Sequence, residues 1–152
     1  MDDAALEQEI RAFLQSHHVL SLATVADGIA HAASLMYAAS GFSLYWTSDP
    51  GSRHSAAIER DPRVAATIAP DYEDFRLIRG LQIAGAAHRL NEPREAAHAR
   101  ELLHARFAFL RQWDRALLAA LARAAYYRLD PDEITLIDNT RGFGDKRTLR
   151  IA

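Results

Sequence analysis

Residues 42–62 read FSLYWTSDPGSRHSAAIERDP, and they place a strand, a tight turn and the start of a helix in one short run. Phe42, Leu44 and Trp46 alternate with Ser43, Tyr45 and Thr47, the period of two expected where one face of a strand meets a core. Ser48-Asp49-Pro50-Gly51 supplies turn chemistry, because proline presets φ and glycine tolerates positive φ. Ser52 follows as a helix N-cap ahead of Arg53, His54 and the apolar Ala56-Ala57-Ile58, and Asp61-Pro62 ends the helix. A helix N-terminus offers unpaired N–H groups and the positive end of a dipole. Ser52, backbone amides, the Arg53 fork and a charged His54 therefore suit a phosphate monoester. The same residues also serve as an ordinary cap on a surface helix with solvated cations.

Upstream, Asp2 or Asp3 can cap a helix that places Leu6, Ile10, Phe13 and Leu14 on one side. The run HVLSLATV after His17-His18 is rich in β-formers and ends at Ala26-Asp27-Gly28, and Ile29 to Tyr37 returns as a second strand. Ala39-Ser40-Gly41 turns into the focal strand, so three strands joined by short loops predict an antiparallel meander. Downstream, Arg63 to Ala69 is a fourth strand and Phe75 to Leu90 a long fifth one. Gly80 and Gly85 inside it mark a bend, a bulge or a ligand lying against the backbone. Asn91 and Pro93 open a helix that breaks near Gln112-Trp113-Asp114 and resumes through Leu117, Leu118 and Leu121. Tyr126 to Leu129 and Ile134 to Ile137 flank the turn Asp130-Pro131-Asp132 as a last strand pair. The expectation is one domain over 1–152, mainly β with flanking helices (α+β), about six antiparallel strands closing into a small barrel.

Composition narrows the function. The 152 residues are 49% apolar and 25% charged, with a formal net charge of −2, so no basic field favours nucleic acid. Cysteine is absent, which excludes a thiolate nucleophile, disulfides and Cys-ligated metals, and any redox chemistry must come from a cofactor. The acidic MDDAALEQEI lacks a signal-peptide pattern and no apolar run is long enough to span a membrane, so the expected address is the cytoplasm. His98, Glu101 and His104 share a helical stripe but lack the i, i+4 spacing of a zincin pair, and are read as a solvated face.

The order of a hairpin, a strand ending in WTS, SRH opening a helix that closes on RDPRVAATI, and a long strand ending in IAG resembles the pyridoxamine-5′-phosphate-oxidase-like, FMN-binding split-barrel superfamily over residues 15–90. The C-terminal DNTRGFGDK, Asp138 to Lys146, is similar to a motif closing a bacterial subfamily of unassigned function. The resemblance implies a PNPOx-like split β-barrel acting as a homodimer, with FMN in clefts at the interface. It carries Trp46 and Thr47 to positions flanking the flavin and Ser52, Arg53 and His54 to the phosphate turn. It also carries Ala33, Ser34 and Leu35 to the strand running along the isoalloxazine. Departures from the pattern are His54 for the family lysine, His31 and Met36 where oxidases place Arg and Lys, and Gly80 for a glutamine, with Gln82 on the same face as a substitute. The late residues that grip pyridoxamine phosphate in the oxidases have no counterpart, which implies another small-molecule substrate.

Three functions follow as expectations. The first is an FMN-dependent oxidoreductase in which Asn139, Arg141 and Lys146, with Asp138, approach the partner's flavin. The second is a haem-binding or haem-degrading protein with His17, His18 or His54 as axial ligand. The third is a non-catalytic flavin-binding dimer.

Overall fold

The computed structural model describes residues 3–112 and 114–151, so Asp2 as a cap and Trp113 at the helix break lie outside the described residues. In chain order the regular elements are α1 (Asp3–Ser16), β1 (Val19–Ala26), β2 (Ile29–Met36), β3 (Ala38–Ser40), β4 (Ser43–Ser48) and α2 (Arg53–Arg60). They continue with β5 (Arg63–Ile68), β6 (Arg79–Arg89), α3 (Pro93–Arg106), α4 (Arg115–Arg123), β7 (Ala125–Asp138) and β8 (Lys146–Arg150). The strands form one eight-stranded sheet in the order β2-β1-β5-β6-β7-β4-β3, with β8 also on β7. Every pairing is antiparallel. The sheet curls into the split-barrel architecture expected above.

The centre of that sheet is β7, and here the sequence reading needs correction. Asp130-Pro131-Asp132 does not turn the chain into a strand pair. It is an irregularity inside one strand that stays on β6 from end to end, with the register shifting between Ala84 and Gly85. Proline cannot donate to a ladder, so the chain bulges at this point, and the unbroken β6 holds the backbone on both sides. The other edge of β7 is divided: Ala125–Leu129 pairs with β4, and Glu133–Ile137 pairs with β8. The bulge is where the sheet splits.

The expected meander is corrected too. β2 and β4 do not pair: β4 lies between β7 and β3, and β2 stays at the edge of the sheet beside β1. The chain changes course at Tyr37, whose buried side chain donates from its hydroxyl to the Leu14 carbonyl at 2.8 Å. Burial raises the pKa of that phenol to about 12. Ala39 and Ser40, expected as turn, instead pair with Leu44 and Ser43. Residues 75–77, expected as strand, form a 3-10 turn because the Asp74 carboxylate accepts from the Arg76 amide. The expected strand count of about six becomes eight with β3 and β8.

One face of the sheet carries the core. Leu20, Leu22, Leu44, Trp46, Leu81, Ile83, Tyr127, Ile134 and Leu136 are all buried, and α1 covers them with Leu6, Ile10, Phe13 and Leu14, the stripe expected from its periodicity. Full burial of such side chains contributes about 1.5–3 kcal/mol each. Buried Arg147 of β8 forms an ion pair with Glu9 of α1, which fixes the last strand to the first helix. The α3 segment packs Leu103 against Ala38, and Ala99 with Leu90 against Tyr45, on the opposite face of β3 and β4.

Gly85 identifies the tightest point. A Cβ there would meet the Asp130 carbonyl oxygen at 2.3 Å and Pro131 Cα at 2.9 Å, so the glycine admits the bulge rather than a ligand. Gly85→Ala is expected to destabilise the fold by about 1–3 kcal/mol in denaturant unfolding. A variant as stable as the parent would mean the bulge relaxes freely.

Candidate functional site

The turn after β4 folds as its residues dictate. Asp49 accepts from the Gly51 amide at 2.8 Å, and Ser52 sits in extended backbone with its hydroxyl accepting from the Ser55 amide, capping α2. The Ser52 hydroxyl also donates to Ser55 Oγ at 2.7 Å. Arg53, the first helical residue, is exposed and takes part in no ion pair among the described residues. Arg60, two turns further along the same helical face, is neutralised by Asp27 at 2.8 Å. Arg53 and Arg60 line a cavity of about 180 Å³ together with Ala56, Ala57 and His31, the last contributed by β2.

His54 differs from the cation expected. Its Nε2 is hydrogen-bonded to Ser48 Oγ at 2.9 Å and lies 3.3 Å from Ser52 Oγ. Burial, reinforced by the charge on His31, lowers its pKa, which favours the neutral imidazole at pH 7. The cradle's net positive charge comes from Arg53, and an arriving phosphate dianion would draw a proton onto His54.

Beside the cradle, β2 is an edge strand, and its backbone along 29–36 has one free side. The outer sheet surface that begins there is uncovered. One register row runs Ser34, Ser21, Thr67, Gln82, Thr135, Thr148 across β2, β1, β5, β6, β7 and β8. The next row runs Ala32, Ala23, Ala65, Ala84, Glu133, Arg150. Most of these side chains are small, and none is buried.

Residues 6–138 match the family described as pyridoxamine 5'-phosphate oxidase. The chain belongs to the pyridoxamine 5'-phosphate oxidase family. It is 30% identical over 148 residues to a UPF0306 protein of Serratia proteamaculans, covering 96% of each chain. Its fold is similar to a haem-binding protein of Mycobacterium smegmatis, with TM-score 0.77 and 21% identity over 95% of this chain and 57% of that one. A second likeness, TM-score 0.66 and 20% identity over 84% of this chain and 88% of that one, is to an FAD-binding protein of Mesorhizobium loti.

The family pattern maps onto the fold unevenly. Ser52, Arg53 and His54 sit together at α2. Ala33 and Leu35 lie half-buried on the same face of β2 as His31, while Ser34 points to the opposite, uncovered face with Gln82. Trp46 stands on the core face that its alternation predicts: its indole is fully buried and stacks on Tyr127 with ring centroids 6.0 Å apart. Thr47 donates to the Ala125 carbonyl at 2.9 Å. Asn139 is a structural bridge, its amide donating to the Phe75 carbonyl at 2.7 Å and its oxygen accepting from the Gly144 amide. Arg141 lies 3.9 Å from Asp145, and Lys146 begins β8.

Within one chain these C-terminal residues do not reach the cradle. They follow the Arg79–Asp138 end of β6, whereas α2 leads into the Arg63–Ala86 pair, seven residues or roughly 23 Å along the strand. Ser48 was missed from the sequence. His31 was noted as standing where the oxidases place an arginine, but its proximity to Arg53 depends on α2 folding back over β2.

The His54 environment sets a pH dependence. A histidine whose pKa falls on folding contributes stability that is complete above its ordinary value near 6.5 and declines as pH drops below it, because the unfolded chain takes up the proton first. An NMR titration is expected to place His54 below that value in the free protein and to move it up when inorganic phosphate is added. A His54 that titrates above 6.5 without phosphate would contradict this account.

Proposed function

We propose that this chain binds FMN as a homodimer and acts as a flavin-dependent oxidoreductase on a small molecule. The observation that carries the reading is the Arg53 guanidinium, unpaired with any carboxylate among the described residues, at the capped start of α2 and across a small cavity from His31. These donors fit a phosphate monoester: a planar fork, a helix N-terminus and two imidazoles that gain protons beside a dianion. The named neighbours that bind FAD and haem support a large planar cofactor on this fold.

Bound there, FMN would supply the hydride or single-electron chemistry. The chain's own part is to hold the phosphate through Arg53, Ser52 and His54 and to offer the free edge of β2, at Ala33 to Leu35, to the ring system. The uncovered face of small side chains suits a second copy, since flat rows of Ala, Ser and Thr let two sheets approach closely. A partner across that face is also what would bring Asn139, Arg141 and Lys146 of one chain toward the cradle of the other, where the cations would stabilise a reduced, anionic ring.

The first test is a visible spectrum of the purified protein after FMN addition and gel filtration. Retained flavin is expected, and Arg53→Ala should weaken it by about 1.5–3 kcal/mol, roughly 10- to 150-fold. Unchanged affinity would remove the phosphate from α2. NAD(P)H consumption above that of free flavin separates an oxidoreductase from a flavin store. A Soret band would instead favour haem, although His17 Nδ1 lies 2.8 Å from the Phe13 carbonyl and His54 Nε2 is held by Ser48.

Light scattering is expected to give a dimer that Ala65→Glu converts to a monomer with loss of flavin, because the new charge sits in the middle of the alanine row. A flavin-loaded monomer would sink the two-chain site.

A further inference from the structure

A second cavity, of about 450 Å³, opens between the C-terminal half of α3, the 3-10 turn at Ala108–Arg111, α4 and β7. It shares no lining residue with the cradle at α2. Its volume is in the range of small-molecule sites. Two features of its walls point the same way.

The first is charge. Arg100 and Arg111 both line the cavity, and neither forms an ion pair among the described residues. Two arginines of the neighbouring sheet end on carboxylates instead, Arg128 on Asp130 at 2.9 Å and Arg79 on Asp138 at 3.3 Å. Arg111 donates to the His104 carbonyl, which holds its guanidinium at the cavity. The imidazole of His104 has a pKa lowered by burial and by the charges on Arg100 and Arg111, and burial raises the pKa of the Tyr126 phenol. Neutral imidazole and phenol beside two guanidiniums leave a positive field lined with hydrogen-bond donors.

The second feature is apolar surface without a cover. The helix α4 has Asp114 as its cap, accepting from the Ala116 and Leu117 amides, yet buries none of its residues fully. Leu118, 41% exposed, and half-buried Leu121 face the cavity with Ala122, opposite buried Leu110. An amphipathic helix normally buries such a stripe against its own domain.

We infer that this cavity binds an organic anion with a carboxylate head and an apolar body. Its head lies between Arg100 and Arg111, within reach of Tyr126 and His104, and its body covers Leu118 and Leu121 against Leu110. The paired requirements define the ligand class: a bare inorganic anion leaves the leucines wet, and a neutral apolar molecule leaves the guanidiniums unmatched.

The test is isothermal calorimetry of the full chain with decanoate, using decanol and inorganic phosphate as controls. One decanoate per chain is expected, with decanol and phosphate each at least about tenfold weaker. Arg100→Gln combined with Arg111→Gln should weaken decanoate at least about tenfold. Because the Arg111 contact with His104 also supports the turn after α3, Ala122→Trp provides an independent variant that fills the cavity from an exposed position and keeps both charges. It is expected to abolish decanoate binding with an unchanged circular dichroism spectrum. Decanoate that fails to bind, that binds no better than decanol, or that binds the Ala122→Trp protein as tightly as the parent would overturn the assignment.

Discussion

The pairing of β6 with β7 is the constraint on which the other elements depend. All eleven residues of β6 pair with β7 between Tyr127 and Asp138, and at their middle Gly85 lets the Asp130–Pro131 backbone press closer than any Cβ would allow. Proline removes a ladder donor at the point where the outer partner of β7 changes from β4 to β8. The bulge bends the strand, and the two halves of the sheet diverge from it. The α3–α4 excursion leaves from the end of β6 and returns at the start of β7, so the same pair anchors both ends of the segment that forms the second cavity.

Charge is distributed in keeping with that frame. Carboxylates neutralise two of the arginines that tie elements together: Arg147 joins α1 to β8 through Glu9, and Arg79 joins β6 to Asp138 at the end of β7. Burial opposes ionisation of Asp138, but hydrogen bonds from Thr140 and the charge of Arg79 outweigh it and hold its pKa down. The DNTRGFGDK segment is largely occupied with this architecture, since Asp138 caps Thr140 and Asn139 joins the Phe75 turn to Gly144. Phe143 projects from it, 81% exposed, with an edge-on contact to Phe75. Arg53, Arg100 and Arg111 are among the arginines with no carboxylate partner among the described residues, and both proposed anion sites are built on them.

No helix among the described residues is long and apolar enough to cross a membrane. The helices act as covers: α1 over the core face, α2 at the end of the barrel beside β2, and α3 over β3 and β4. This leaves the face bearing the Ser34-to-Thr148 row without a cover of its own. A sheet with one side so exposed and so poor in large side chains needs either water or another flat surface against it.

Local chemistry was legible in the sequence. The alternation in residues 42–47, the Asp49-Pro50-Gly51 turn, the Ser52 cap, the Asp61 stop and the α1 stripe all stand where short-range rules place them, because each is decided by neighbours a few residues away. Strand order was not legible, since β1 with β5 and β4 with β7 are joined by contacts between distant residues that no local pattern encodes. The same distance hid the continuity of β7 through Pro131, where a continuous partner strand overrode proline's local preference for a turn. It also hid the stacking of Trp46 on Tyr127, the lowered pKa of His54 and the meeting of His31 with Arg53. Those properties belong to packing, which sets burial and brings charges together across the chain, and only the tertiary structure decided them.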